Sequence, residues 1–181
     1  EFIALRNLKI ERKVNEHSKA EITMCIEDDK QVKYMEILSG ETWVKIIGVG
    51  EQKESEEVER IVLFHGVVTD FFLGHDGYET TLKIKMASGT ILMDLRSHFR
   101  VFQNKDSICG EIYRQITNAY SNGKVICQEG GSDKTEGVLI QYQETDWKFL
   151  KRVAGRTGLY LVPDVQNKGI RYTVGLSLGI K

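Results

Sequence analysis

A single proline in 181 residues leaves the chain without a stiff linker. Three cysteines, Cys25, Cys109 and Cys127, are odd in number and far apart, so no disulfide framework is expected. They form no C-x-x-C pair, which removes the usual spacing of a zinc site or a redox dithiol and leaves reduced thiols as the expectation. No apolar run approaches the roughly 20 residues that cross a bilayer, and no charged-then-apolar leader opens the chain, so membrane insertion is not expected. Neither sign of charge is in excess: 25 basic residues face 26 acidic ones, a net charge of −1 that offers no overall field to a polyanion. Lys148, Lys151, Arg152 and Arg156 do cluster, and their spacing reads as the solvated face of a helix.

What is present is ordinary for a globular protein, with 41% hydrophobic and 28% charged residues. A chain of this length buries about 70% of its unfolded surface, enough for one moderate domain or two small ones. The first ninety or so residues alternate with period two, the signature of strands with one wet face. Ala20, Ile22, Met24 and Ile26 alternate with Glu21, Thr23, Cys25 and Glu27. Tyr78, Thr80, Leu82, Ile84 and Met86 alternate with Glu79, Thr81, Lys83 and Lys85. Between them lie a strand from Thr42 to Val49 and a more apolar run, Arg60 to Leu73, expected to bend at Gly66 as a closing barrel requires. Asp76-Gly77 predicts a tight type I′ hairpin, and acidic Glu51 to Glu59 an exposed hairpin loop.

Near Leu92 the period changes. Ile108, Ile112 and Ile116 fall four apart, widened by Cys109, Tyr113 and Tyr120, and predict a helix capped by Asp106 or Ser107 and ended by Ser121-Asn122-Gly123. After a Gly-rich loop, Gly130 to Gly137, a short strand holds Val138, Ile140 and Tyr142. Thr145 then caps a second helix through Trp147, Leu150 and Val153 to Arg156, with Asp146 at its positive end and Gly158 past its negative one. Leu159 to Val162 and Ile170 to Leu178 return to strand around a turn at Asn167-Lys168-Gly169. The chain opens at Glu1 without Met and stops at Lys181 just after that strand, so a longer polypeptide is expected.

Catalytic patterns are scarce. His17, His65, His75 and His98 form no i,i+4 pair and no H-E-x-x-H frame, so no metal site is nominated. His65, Asp70 and Ser88 could in principle make a hydrolytic relay, but no nucleophile elbow frames the serine. Glu144 and Asp146 flank a helix start, where capping and the helix dipole already account for acids. Gly130-Gly131-Ser132 lacks the Lys-Ser/Thr ending of a phosphate loop. Trp43, Phe64, Phe71, Phe72, Trp147 and Phe149 read as core or interface residues before they read as a sugar or base platform. Neither catalytic, cofactor nor metal residues are nominated.

One stretch is more specific than pattern. Residues 138–163, VLIQYQETDWKFLKRVAGRTGLYLVP, resemble the Q-Y-x-E-[ST]-D-[WF]-x-F-L-x-R-x-x-x-x-x-G-[IL]-Y run of the VgrG and phage late control protein D-like tail-hub family. Gln141, Tyr142, Glu144, Thr145, Asp146, Trp147, Phe149, Leu150, Arg152, Gly158, Leu159 and Tyr160 match it. Leu63 to Phe71 and Ile91 to Asp106 resemble upstream segments of the same family, and Asn15-Glu16-His17 resembles a turn found in a phage-like branch of it. The resemblance implies a mainly β (α+β) chain: a small antiparallel tail-hub barrel over 1–92, a helical connector and Gly-rich loop over 93–137, and the strand-helix-strand start of a second related barrel over 138–181. It implies a structural hub of a contractile injection machine, assembled in a bacterial cytoplasm into a virion or phage-like particle, and not an enzyme. Partners would be further copies in a homotrimer, a tail tube and a spike, with no cofactor and no specific nucleic acid. A glycan- or small-molecule-binding β module and a cell-wall hydrolase are the alternatives.

Overall fold

A computed structural model describes residues 3–38, 41–50, 59–104 and 106–175. Strands hold 46% of the described residues and helices 23%, which makes the chain mainly β with helices, as expected. Its contacts divide it into two compact units, residues 1–12 with 18–88, and residues 13–17 with 89–181.

The first unit is a curled antiparallel sheet, half of a barrel, in the order β1-β2-β5-β4-β3. Its strands are β1 (Ala4–Glu11), β2 (Lys19–Ile26), β3 (Trp43–Val49), β4 (Arg60–His75) and β5 (Thr80–Ser88). The period-two pattern works as anticipated on β5, where Thr80, Leu82, Ile84 and Met86 are buried and Lys85 is exposed. Together with Ala20, Met24, Ile26 and Phe64 they make the apolar side of the sheet.

Three local expectations change. Tyr78 is 96% exposed, not a core residue, because the hairpin is wider than a two-residue turn. His75 pairs with Thr80, and the Asp76 carboxylate accepts the amides of Tyr78 (3.2 Å) and Glu79 (3.0 Å). The Asp side chain thereby holds a four-residue loop in which Gly77 (φ +92°) takes the left-handed turn position. Those two amides also hold the Asp76 carboxyl below its ordinary range. Second, β4 runs continuously through Gly66, and its register against β5 slips between Val68 and Asp70, where Thr69 is the extra residue. Gly66 serves close approach instead, since a Cβ there would lie 2.3 Å from the Ala87 carbonyl oxygen and 2.5 Å from the Phe64 ring. Third, residues Gln31–Leu38 form a short helix, α1, after a 3-10 turn at Asp28–Lys30. Only Leu38 of that helix is buried, so no helical stripe marks it in the sequence. The acidic stretch 51–58 lies outside the described residues, as does the last expected strand beyond Gly175.

The second unit packs two helices, α2 (Cys109–Thr117) and α3 (Asp146–Arg156), with a three-stranded sheet and a two-stranded ribbon. The sheet runs β7-β10-β9, from β7 (Lys124–Cys127), β9 (Leu161–Pro163) and β10 (Arg171–Val174), and β7 is parallel to β10. The ribbon pairs β6 (Ser97–Phe102) with β8 (Leu139–Thr145). Residues 93–137, read as a connector, supply Met93, Cys109, Ile112, Tyr113 and Ile116 to the core around Trp147, Phe149 and Tyr172. Neither Asp106 nor Ser107 caps α2. Ile108 is the capping residue, its amide bonded to Glu111, while the next two amides reach the carbonyls of Asp133 (2.8 Å) and Gly131 (3.0 Å) in the Gly-rich loop. Thr145 caps α3 as expected, its hydroxyl accepting the Lys148 amide.

A Gly66→Ala substitution is expected to destabilise the protein by about 1–3 kcal/mol through overpacking against backbone that cannot retreat, read as a fall in the denaturant midpoint.

Candidate functional site

The residues of the Gln141–Tyr160 run converge on one buried carboxylate. Asp146 begins α3 with no exposed surface. One oxygen accepts from Arg100 Nη1 of β6 (2.5 Å) and Gln141 Nε2 of β8 (2.8 Å), and the other from the Tyr120 hydroxyl (2.6 Å). His98 Nε2 lies 3.6 Å away. Gln141 also accepts from Arg100 (3.0 Å) and donates to the Glu144 carbonyl (2.9 Å), so its amide is spent on both sides. Burial, then the bond to Asp146, drives the Tyr120 hydroxyl well above the ordinary phenol range. Asp146 is therefore far more than a helix-dipole residue: it binds both strands of the ribbon to the helix. Glu144 has a separate role, pairing with Arg152 (2.8 Å), whose guanidinium also caps the Ile140 carbonyl (2.7 Å) and lies over the Phe149 ring. One member of the expected solvated basic face is thus structural.

A second polar cluster surrounds His17. Its Nε2 lies 2.8 Å from Asp94, its Nδ1 2.9 Å from the Thr90 hydroxyl, and its ring packs on Trp147. Carboxylate, imidazole and hydroxyl are in the order of a catalytic relay, but Thr90 is completely buried, so no substrate reaches the hydroxyl. The Asp94 carboxylate also accepts the Thr145 hydroxyl, which ties the helix cap to this cluster. Asn15 completes it. Held at φ +64°, it exchanges two bonds with Leu161 and takes the Trp147 indole N–H on its carbonyl. The Asn15-Glu16-His17 turn therefore pins two half-buried polar side chains, Asn15 and His17, against the second unit's core, a role its sequence spacing did not reveal.

The weighed catalytic patterns are not built. Asp70 pairs with Lys85, His65 sits edge-on to Trp43, and Ser88 is fully buried. The carbonyls of Gly131 and Asp133 occupy the α2 amides that an anion would need. Among the described residues no group of three His, Cys, Asp or Glu side chains is placed to hold a metal ion. Burial pushes the Cys109 and Cys127 thiols up, away from the reactive thiolate. No helix among the described residues is long and apolar enough to cross a membrane.

The model of the phage tail baseplate hub (GPD) family matches residues 12–170. The chain belongs to that family. Tail and secretion-system chains of known structure share its fold at low identity. The 43 kDa tail protein of prophage MuSo2 from Shewanella oneidensis superposes with a TM-score of 0.61 at 14% identity, over 93% of this chain and 47% of that one. The E. coli c3393 protein, a component of the type VI secretion system with structural similarity to T4 bacteriophage tail proteins gp27 and gp5, gives 0.58 at 14%, over 94% and 48%. A tail protein from Neisseria meningitidis MC58 gives 0.59 at 14%, over 88% and 42%. The chain thus spans about half the length of these solved chains. No curated protein sequence matches it.

In this hub chain the exposed aromatic residues are not all those expected. Phe64, Trp147 and Phe149 are core, and Phe72 is exposed. Phe99 and Tyr142 are also exposed, at 67% and 65%, and meet edge to face across the ribbon. The strand residues Ile140 and Tyr142 face out, while Leu139 and Gln141 face in.

Asp146→Ala should cost about 3–5 kcal/mol, because it leaves the Arg100 guanidinium without its charge partner. Chemical denaturation measures it, and the double variant Arg100→Met/Asp146→Leu should recover much of the loss.

Proposed function

We propose that the chain forms part of a homotrimeric ring that joins a tail tube to a spike in a contractile injection machine, and that its work is structural. Membership of the baseplate hub family carries this reading, and the chemistry of the chain agrees with it. Its polar clusters are spent on internal bonds around Asp146 and His17, where catalysis would need a reactive atom open to substrate. Its exposed surface instead carries large apolar side chains, including Val49, Phe72, Phe99 and Tyr142, of the kind that protein partners cover. Tube and spike proteins are the partners, with assembly in a bacterial cytoplasm and the finished ring in a virion or phage-like tail particle. Residues 1–92 make the first ring barrel, 93–137 lead out of it, and 138–181 begin the second barrel-bearing half. Cofactor, metal and nucleic acid have no part in it.

The longer hub protein containing this chain should have a trimer's mass by light scattering and show closed rings in negative-stain electron microscopy. A monomer across the micromolar range would refute the ring.

A further inference from the structure

The end of the first unit where β2 stops and β5 begins collects acid. The register sets Ile26 opposite Thr80, so the turn after β2, Glu27 to Asp29, lies beside the hairpin loop that carries Asp76 and Glu79. The Asp28 carboxylate accepts the Thr80 hydroxyl and ties the two segments together. Lys30 answers Glu27 and Arg6 answers Glu79, while Asp28, Asp29 and Asp76 have no lysine or arginine partner among the described residues. Only His75, 3.8 Å from Asp28, approaches that group. Tyr78 stands among these carboxylates, lining one cavity with Glu27, Asp28 and Glu79, and its ring is left almost wholly in solvent. A tyrosine so exposed adds little packing to its own fold, and tyrosine is a side chain on which protein interfaces centre.

The solvent side of α3 is its counterpart. Lys148, Lys151 and Gly155 fall on one stripe of that helix, with Arg156 beside it. Arg152 is folded back on Glu144, but Lys148, Lys151 and Arg156 enter no ion pair among the described residues. Glycine inside a helix is less stable than alanine by up to about 1 kcal/mol. The packing of the described residues does not call for it at 155, where a Cβ would meet no atom within 4 Å. A glycine that its own fold does not need suits a close approach from outside. The acidic knob at Tyr78 and the basic gap at Gly155 therefore match in shape and in sign, and an aromatic ring set among lysines gains further from their charge. The two surfaces belong to different units of the chain. Matching them joins copies head to tail, the heterologous contact from which rings close.

We infer that Tyr78 of one copy, with Asp28, Asp29 and Asp76 around it, seats on Gly155 of a second copy, among Lys148, Lys151 and Arg156. The inference rests on the ring reading and assigns its seam. Sedimentation equilibrium of the purified chain should show concentration-dependent self-association that weakens as sodium chloride is raised, because opposite charges meet. Gly155→Gln should raise the unfolding midpoint, glutamine being the better helix former, and yet weaken association about tenfold or more. Tyr78→Ser should leave the midpoint unchanged and weaken association to a similar extent. Asp29→Lys and Lys151→Glu should each weaken it, and the chain carrying both should recover most of the loss, because the two charges change sides together. A chain that stays monomeric, as when another tail protein covers these surfaces, overturns the inference. So does association that salt strengthens, that Gly155→Gln and Tyr78→Ser leave unchanged, or that the double reversal fails to restore. Rings of the longer hub protein that still close with Tyr78→Ser and Gly155→Gln in place would keep the ring and discard this seam. Absence of rings in the unsubstituted protein would discard both.

Discussion

A carboxylate with no exposed surface has to find its charge partner inside the protein, and Asp146 finds it in Arg100 on the neighbouring ribbon. Much of the second unit follows from that bond. To deliver the guanidinium, β6 must turn Arg100 inward, and its cross-strand partner on β8 must then be a residue that tolerates a charged neighbour. Gln141 meets both demands with one amide, accepting from Arg100 and donating to Asp146. Because successive side chains alternate across a strand, placing these polar residues inside forces Phe99, Val101, Ile140 and Tyr142 outside. The outward direction of these side chains is the geometric consequence of the buried charge; their apolar character is not.

The same constraint shapes the backbone where strand becomes helix. Between Tyr142 and Glu144 the ribbon register slips, and Gln143 takes a left-handed conformation at φ +48°. That extra residue resets the alternation, so that Glu144 reaches Arg152 and Thr145 arrives as a cap whose hydroxyl also bonds Asp94. Strand, bulge, cap and buried acid form one unit of six residues. Replacing a buried ion pair by apolar side chains is often neutral for stability.

Legibility in the sequence followed how local the signal was. Helix α3 could be read in full because cap, first-turn acid, apolar stripe and terminal glycine all lie within its own length. β5 was equally plain, its alternation unbroken from Thr80 to Met86. α1 was not, because a helix that buries only Leu38 shows no stripe, and β6 and β7 are too short to stand out beside the motifs around them. The reading of Asp146 as a capping acid was right about position and incomplete about partners, since Arg100 and Tyr120 are distant in sequence and nothing local announces them. Tyr78 was misassigned for a related reason: period two continues into the hairpin, and only the Asp76 side chain shows that the strand has already stopped.

The Asn15–His17 turn bonds to residues made much later. Its carbonyl receives the Trp147 indole 132 positions downstream, and its side chain receives the Leu161 amide 146 positions downstream. During synthesis the early strands can pair while that turn still lacks Thr90, Asp94, Trp147 and Leu161, and pairings so far apart in sequence are slow to close. The polar turn that looks like a detail of the core is thus a record of completion: until the ribosome has passed Leu161, a left-handed asparagine and a half-buried histidine wait in water for the pocket that will hold them.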